Sequence, residues 1–99
     1  MAENPLKIFE KRDPELLALV AETREFALAD GALPTKFKLL IALALDASNG
    51  ATEGVKALAQ AAMQAGATNE EITEVLRVTQ YVCGVGSVYT AAHALAALD

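Results

Sequence analysis

The chain has 99 residues, a net charge of −5 and 54% apolar residues, yet 21 of its residues are alanine. A single domain of this length buries between ~60 and ~70% of its extended surface; alanine adds little area, so tight helix contacts and further burial against copies of the chain are expected. The acidic balance argues against nucleic acid or an anionic membrane as partner, and the single cysteine excludes an intrachain disulfide and a thiolate-rich metal site.

In chain order, MAENPLKIFEKRD holds no apolar signal core, so a cytoplasmic protein is expected. Asp13-Pro14 is a helix start, an N-cap acid before a proline at the first helical position. Leu16, Leu19, Val20, Thr23, Phe26 and Ala27 then fall on one helical stripe that ends at Asp30-Gly31. Leu33-Pro34 opens a second helix whose middle, LLIALAL, is apolar on every side and is predicted to be the central buried element. After Asn49-Gly50, a third helix runs from about Thr52 to Ala65, with Val55, Leu58, Ala59, Ala62 and Met63 on its stripe and Gly66 as its stop. Thr68-Asn-Glu-Glu71 is a capping box for a fourth helix, with Ile72, Val75, Leu76, Thr79, Val82 and Cys83 on one stripe. Gly84-Val-Gly86 breaks the chain so that two helices can turn sharply and pack closely, and a last helix reaches the C-terminus. No strand alternation, repeat or low-complexity linker appears, so the fold class is all-α with five to six helices.

From Val78 to Leu98 there is no formally charged side chain, a span of 21 residues. Gln80, Ser87, Thr90 and His93 would lie at mid-bilayer depth in a membrane helix, so a buried or subunit-covered segment is expected instead.

LPTKFKLLIALAL, followed by AAMQAGATNEEITEVLRVTQYVCGVGSVYTAAHAL, resembles the carboxymuconolactone decarboxylase and alkylhydroperoxidase D-like family over about residues 33–98 of one domain spanning 1–99. The Gly-Ala-Thr-x-Glu-Glu-Ile turn and the late Cys-Gly-Val…His segment are its most specific parts, the latter closer to the decarboxylase branch. The resemblance implies an all-α subunit that assembles into homotrimers or homohexamers around shared active sites. Peroxidase-type members carry a Glu, a Cys-x-x-Cys and a His on the second and third helices. Counted back from Gly66, those positions hold Leu39, Ala51, Gly54 and Leu58. Without two thiols, one to attack and one to resolve, dithiol peroxidase chemistry cannot run within this chain. Decarboxylase-type members also tend to carry the third-helix histidine that Leu58 replaces.

Cys83 lies on the stripe that starts at Ile72, which predicts a buried, unreactive thiol. On the last helix, Val88, Ala91, Ala92, Leu95 and Leu98 form an aliphatic face, while Tyr89, Thr90, His93 and Ala97 form an uncharged polar one suited to a cavity wall or subunit contact. A neutral histidine there can move a proton near pH 7. Lys36 and Lys38 stand in the first turn of the second helix, where the macrodipole disfavours cations, and make a candidate carboxylate-binding corner. Gly84 and Gly86 do not complete a phosphate-binding fingerprint, and nothing in the sequence asks for a cofactor or metal.

Two functions follow. In the first, a lyase decarboxylates a small anionic lactone or keto acid: Lys36 holds the carboxylate, His93 returns a proton to carbon and Tyr89 orients it. In the second, a non-catalytic oligomeric binding or scaffold protein keeps the fold, with Leu39 and Leu58 lining an apolar intersubunit pocket.

Overall fold

Two Asx-Pro pairs start the chain's first helical turns, in the computed structural model that describes residues 4–99. The Asn4 side chain accepts from the Leu6 N–H at 3.0 Å and opens a 3-10 turn over Pro5–Ile8, which runs into the single turn of α1, Phe9–Arg12. Asp13 does the same for Leu16 at 3.0 Å and starts α2, Pro14–Leu28. The helices that follow are α3 (Thr35–Ser48), α4 (Thr52–Gln64), α5 (Asn69–Cys83) and α6 (Gly86–Ala96). Six α-helices, and no strand among the described residues, agree with the expected fold class. Only the 3-10 turn and α1 lie outside the expected elements, although Asn4-Pro5 carried the signal read at Asp13-Pro14.

The core is built by α3, α4 and α6. Leu43 and Val55 are its largest side chains with no exposed surface, and Ala59, Ala62, Ala91 and Ala94 let the three helices approach closely around them. Three residues, 49–51, separate α3 from α4, which makes the two helices neighbours. α5 adds Ile72 to this core, with Val75 and Leu76 half-buried against it. Its capping box forms as expected: Thr68 Oγ1 accepts from the Glu71 N–H at 3.1 Å, and Glu71 Oε1 accepts from the Thr68 N–H at 2.9 Å.

Gly84 ends α5 at φ 87°, a backbone conformation that a Cβ would strain. Ser87, buried at the start of α6, donates to the Gly84 carbonyl at 2.7 Å and fixes the corner. Gly86 takes no such conformation and has open space where a Cβ would stand, so the sharp turn belongs to Gly84 and close packing is not the role of Gly86. The uncharged 78–98 stretch is thereby split between two helices. No helix among the described residues is long and apolar enough to cross a membrane.

The apolar stripes meet the structure in three ways, and the burial expected of α3 and of Cys83 needs correction. The α2 stripe does not face the core: α2 has no buried residue, and Phe26 is 88% exposed. At about 100° per residue, Leu17 and Leu28 point the other way, and these are the half-buried positions of the helix. α3 is central but not buried all round, since Leu39, Leu40, Leu43 and Ala47 are covered while Ile41 and Leu45 are exposed. Cys83 is exposed, not buried, because the chain reverses at Gly84 and the last turn of α5, Val82 included, extends past its neighbours.

Candidate functional site

The outward sides of α3 and α5 form a groove of about 750 Å³. It exists because both helices carry more apolar residues than one core-facing stripe needs. Phe37, Ile41 and Leu45 form one wall, and Val75, Val78 and Val82 the other. Along α5 the groove runs from Glu70 to Cys83, about 20 Å at the rise of an α-helix. A smaller depression of about 350 Å³ at the N-terminal turn, between Pro5, Ile8 and Lys11, gathers no catalytic set of side chains.

Polar groups stand at the two ends of this groove. At one end are Glu70, Glu71 and Glu74 in the first turns of α5. Glu71 is held below the usual carboxylate range, first by the Thr68 N–H and then by Lys36, whose Nζ donates to Oε2 at 3.1 Å; desolvation acts in the other direction. Within the walls, the Thr79 hydroxyl donates to the Val75 carbonyl of its own helix at 2.8 Å, so it offers no free donor. At the other end is the Cys83 thiol. Among the described residues, no group of three or more His, Cys, Asp and Glu side chains is placed to hold a metal ion.

The candidate residues read from the sequence do not converge in one subunit. Lys36 pairs with Glu71 and lies 5.1 Å over the Phe37 ring, a cation–π distance, so its charge is already matched within the chain. Lys38 donates to the Ala29 carbonyl at 2.7 Å and thereby holds the end of α2 against α3. The two lysines of this first turn are therefore structural ties, which accounts for cations at an unfavourable helix end. His93 and Tyr89 lie one turn apart on α6, both exposed, and neither lines the groove. Thr90, on the same side of α6, donates to the Gly86 carbonyl at 3.2 Å.

The four positions that the resemblance matches to the redox groups of peroxidase-type members are apolar or closed. Leu39 is 3% exposed in the subunit's own core, and Leu58 packs against that core. Neither lines the groove, so the expected intersubunit pocket walled by Leu39 and Leu58 is not what this fold presents. Ala51 precedes α4, and a Cβ at Gly54 would run into the Asp46 carboxylate. The groove itself was missed in the sequence. Its signal was the surplus of apolar residues on LLIALAL and on the C-terminal half of α5.

A family model described as the carboxymuconolactone decarboxylase family matches residues 14–97. The crystal structure of a carboxymuconolactone decarboxylase family protein from Legionella pneumophila, in its apo form, is similar at 36% identity. That similarity has a TM-score of 0.87 and covers 93% of this chain and 82% of the other. No curated protein matches the chain.

Proposed function

The chain belongs to the carboxymuconolactone decarboxylase family, and from that premise we propose that it is a self-assembling binding or scaffold protein that keeps the family's helical subunit without dithiol chemistry. The observation that carries this reading is the replacement of the redox positions by core: Leu39 and Leu58 fill the space between helices with alkyl groups. The one thiol, Cys83, lies on a different helix, and no second cysteine exists to resolve it. Assembly is supported by the amount of large apolar surface left uncovered, including Leu19, Phe26, Leu45, Val78 and Val82, each more than half exposed. A homotrimer or homohexamer in a reducing cytoplasm suits both that surface and an exposed thiol.

A second reading keeps decarboxylation of a small anionic lactone or keto acid. It is favoured by one observation, the free side of α6, where His93 and Tyr89 face away from their own subunit and are available to a neighbour's. Lys36 would exchange Glu71 for the substrate carboxylate. Carbon dioxide would leave with its bonding electrons kept on carbon, and His93, oriented by Tyr89, would protonate the resulting enolate.

One set of assays separates the two. Purified protein is offered a hydroperoxide with a dithiol reductant and, separately, an unsaturated lactone bearing a carboxylate. The binding reading expects no turnover above buffer in either. Multiple-turnover decarboxylation that disappears in a folded His93→Ala variant would establish the second reading and overturn the first.

A further inference from the structure

The molecule carries two uncovered apolar surfaces of opposite shape, and they match. We propose that α2 of one subunit lies in the α3–α5 groove of a second copy, which extends the assembly reading by naming what covers the groove. The convex surface is the α2 stripe of Leu16, Leu19, Val20 and Phe26, which spreads over about a third of the helix circumference at 100° per residue. The concave surface is the groove between the outer faces of α3 and α5. Their lengths agree: 15 residues of α2 span about 22 Å, and the groove follows α5 for about 20 Å.

A subunit does not fill its own groove. Thr35 Oγ1 donates to the Leu28 carbonyl at 2.7 Å, and Lys38 Nζ to that of Ala29 at 2.7 Å. These bonds fasten the end of α2 to the start of α3 and hold the helix with its stripe outward. The helix that enters the groove therefore comes from another copy. Such a contact joins two different patches, so it closes either as a ring or by mutual exchange between two subunits.

Charge sets the direction. Lys7, Lys11 and Arg12 precede α2 against Glu10 and the capping Asp13, and Glu70 and Glu74 stand at the N-terminal end of the groove without the lysine that neutralises Glu71. Bringing these groups together lays α2 parallel to the partner's α5. Leu16 then falls near the acidic end, and Phe26 near Val82 and Cys83.

The single native cysteine makes the arrangement testable in the full chain. In a Phe26→Cys variant, diamide takes two electrons and two protons from the new thiol and Cys83 of a second copy, forming a disulfide between subunits. Non-reducing electrophoresis is expected to show dimers and higher multiples that vanish when Cys83→Ser is added. Leu16→Cys, at the far end, is expected to cross-link at least tenfold less, and Glu25→Cys, off the stripe, likewise. Equal cross-linking from Glu25→Cys, or more from Leu16→Cys than from Phe26→Cys, would overturn the docking as described. So would bright binding of the apolar dye anilinonaphthalene sulfonate to the assembled wild type, which would show an open groove. Solution mass separates this inference from the reading beneath it. If wild type assembles while Phe26→Glu and Val82→Glu both become folded monomers, the docking stands. If both variants stay assembled, the docking fails and assembly uses another face; if wild type is monomeric, both fail.

Discussion

α4 and α2 have similar lengths and each carries an apolar stripe, sharper on α4, but they have opposite fates. On α4, Val55, Ala59 and Ala62 have no exposed surface; on α2, no residue is buried. The difference comes from their connections. A three-residue turn lays α4 against α3, while the 29–34 segment and its hydrogen bonds fasten α2 only at its end. A stripe therefore states that a helix will be covered on one side, and the connection decides whether its own chain does the covering. Small residues sharpen the contrast, since alanines fill the closed side of the molecule while Phe26, Val78, Val82 and Tyr81 stand on the open side.

Substitutions that separate the two sides break or sharpen this comparison. The largest effect is expected in the core: Leu43→Ala should lower the free energy of unfolding by about 2–5 kcal/mol, measured by urea denaturation and independent of protein concentration. Leu19→Ala, on the open side, should cost the isolated subunit within about 0.5 kcal/mol and show a larger loss only at concentrations where the chain assembles. Equal, concentration-independent losses would erase the distinction.

Next comes the corner between α5 and α6. Gly84→Ala puts a Cβ at φ 87° and should cost about 1–3 kcal/mol. Gly86→Ala, which meets nothing and sits in the first helical turn, should be neutral or slightly stabilising by thermal melting. The smallest effects belong to the surface ties. Thr68→Ala should cost about 1 kcal/mol by removing the N-cap. Asp30 and Glu71 are both held below their ordinary values of 3.8 and 4.5, Asp30 chiefly by the Thr35 N–H and Glu71 chiefly by the Thr68 N–H. Folded carboxyls with lowered values bind protons less readily than unfolded ones. Their contribution is therefore complete above about pH 4.5 and lost as acid takes the pH down through the folded values. A melting temperature that falls below pH 4.5 in wild type, and less steeply in Glu71→Gln, which removes the titrating carboxylate, would match this origin.

The helix boundaries were legible because their signals are local: Asp13-Pro14, Asn49-Gly50, Gly66 and the Thr68–Glu71 box each act within a turn of the chain. The family was legible for the same reason, in the turn before α5 and the segment after it. Burial at the ends of stripes was not legible. Val82 and Cys83 continue the period of Ile72 and Val75, but whether a neighbour reaches that far depends on where Gly84 turns α6. The role of Lys36 was hidden because its partner, Glu71, lies 35 residues away and is brought close only by packing of α3 against α5. His93 and Tyr89 were read as one face, and they do share one, but what that face meets is supplied by no residue of the same subunit.

The solution mass of the wild-type chain tests the central claim most directly. Sedimentation equilibrium at micromolar concentration should give a three- or sixfold multiple of 10.4 kDa, with dissociation on dilution accompanied by exposure of the α3–α5 groove. A stable species of 10.4 kDa across the same range would contradict it, because the apolar surfaces of α2, α3 and α5 would then have no copy of the chain to cover them.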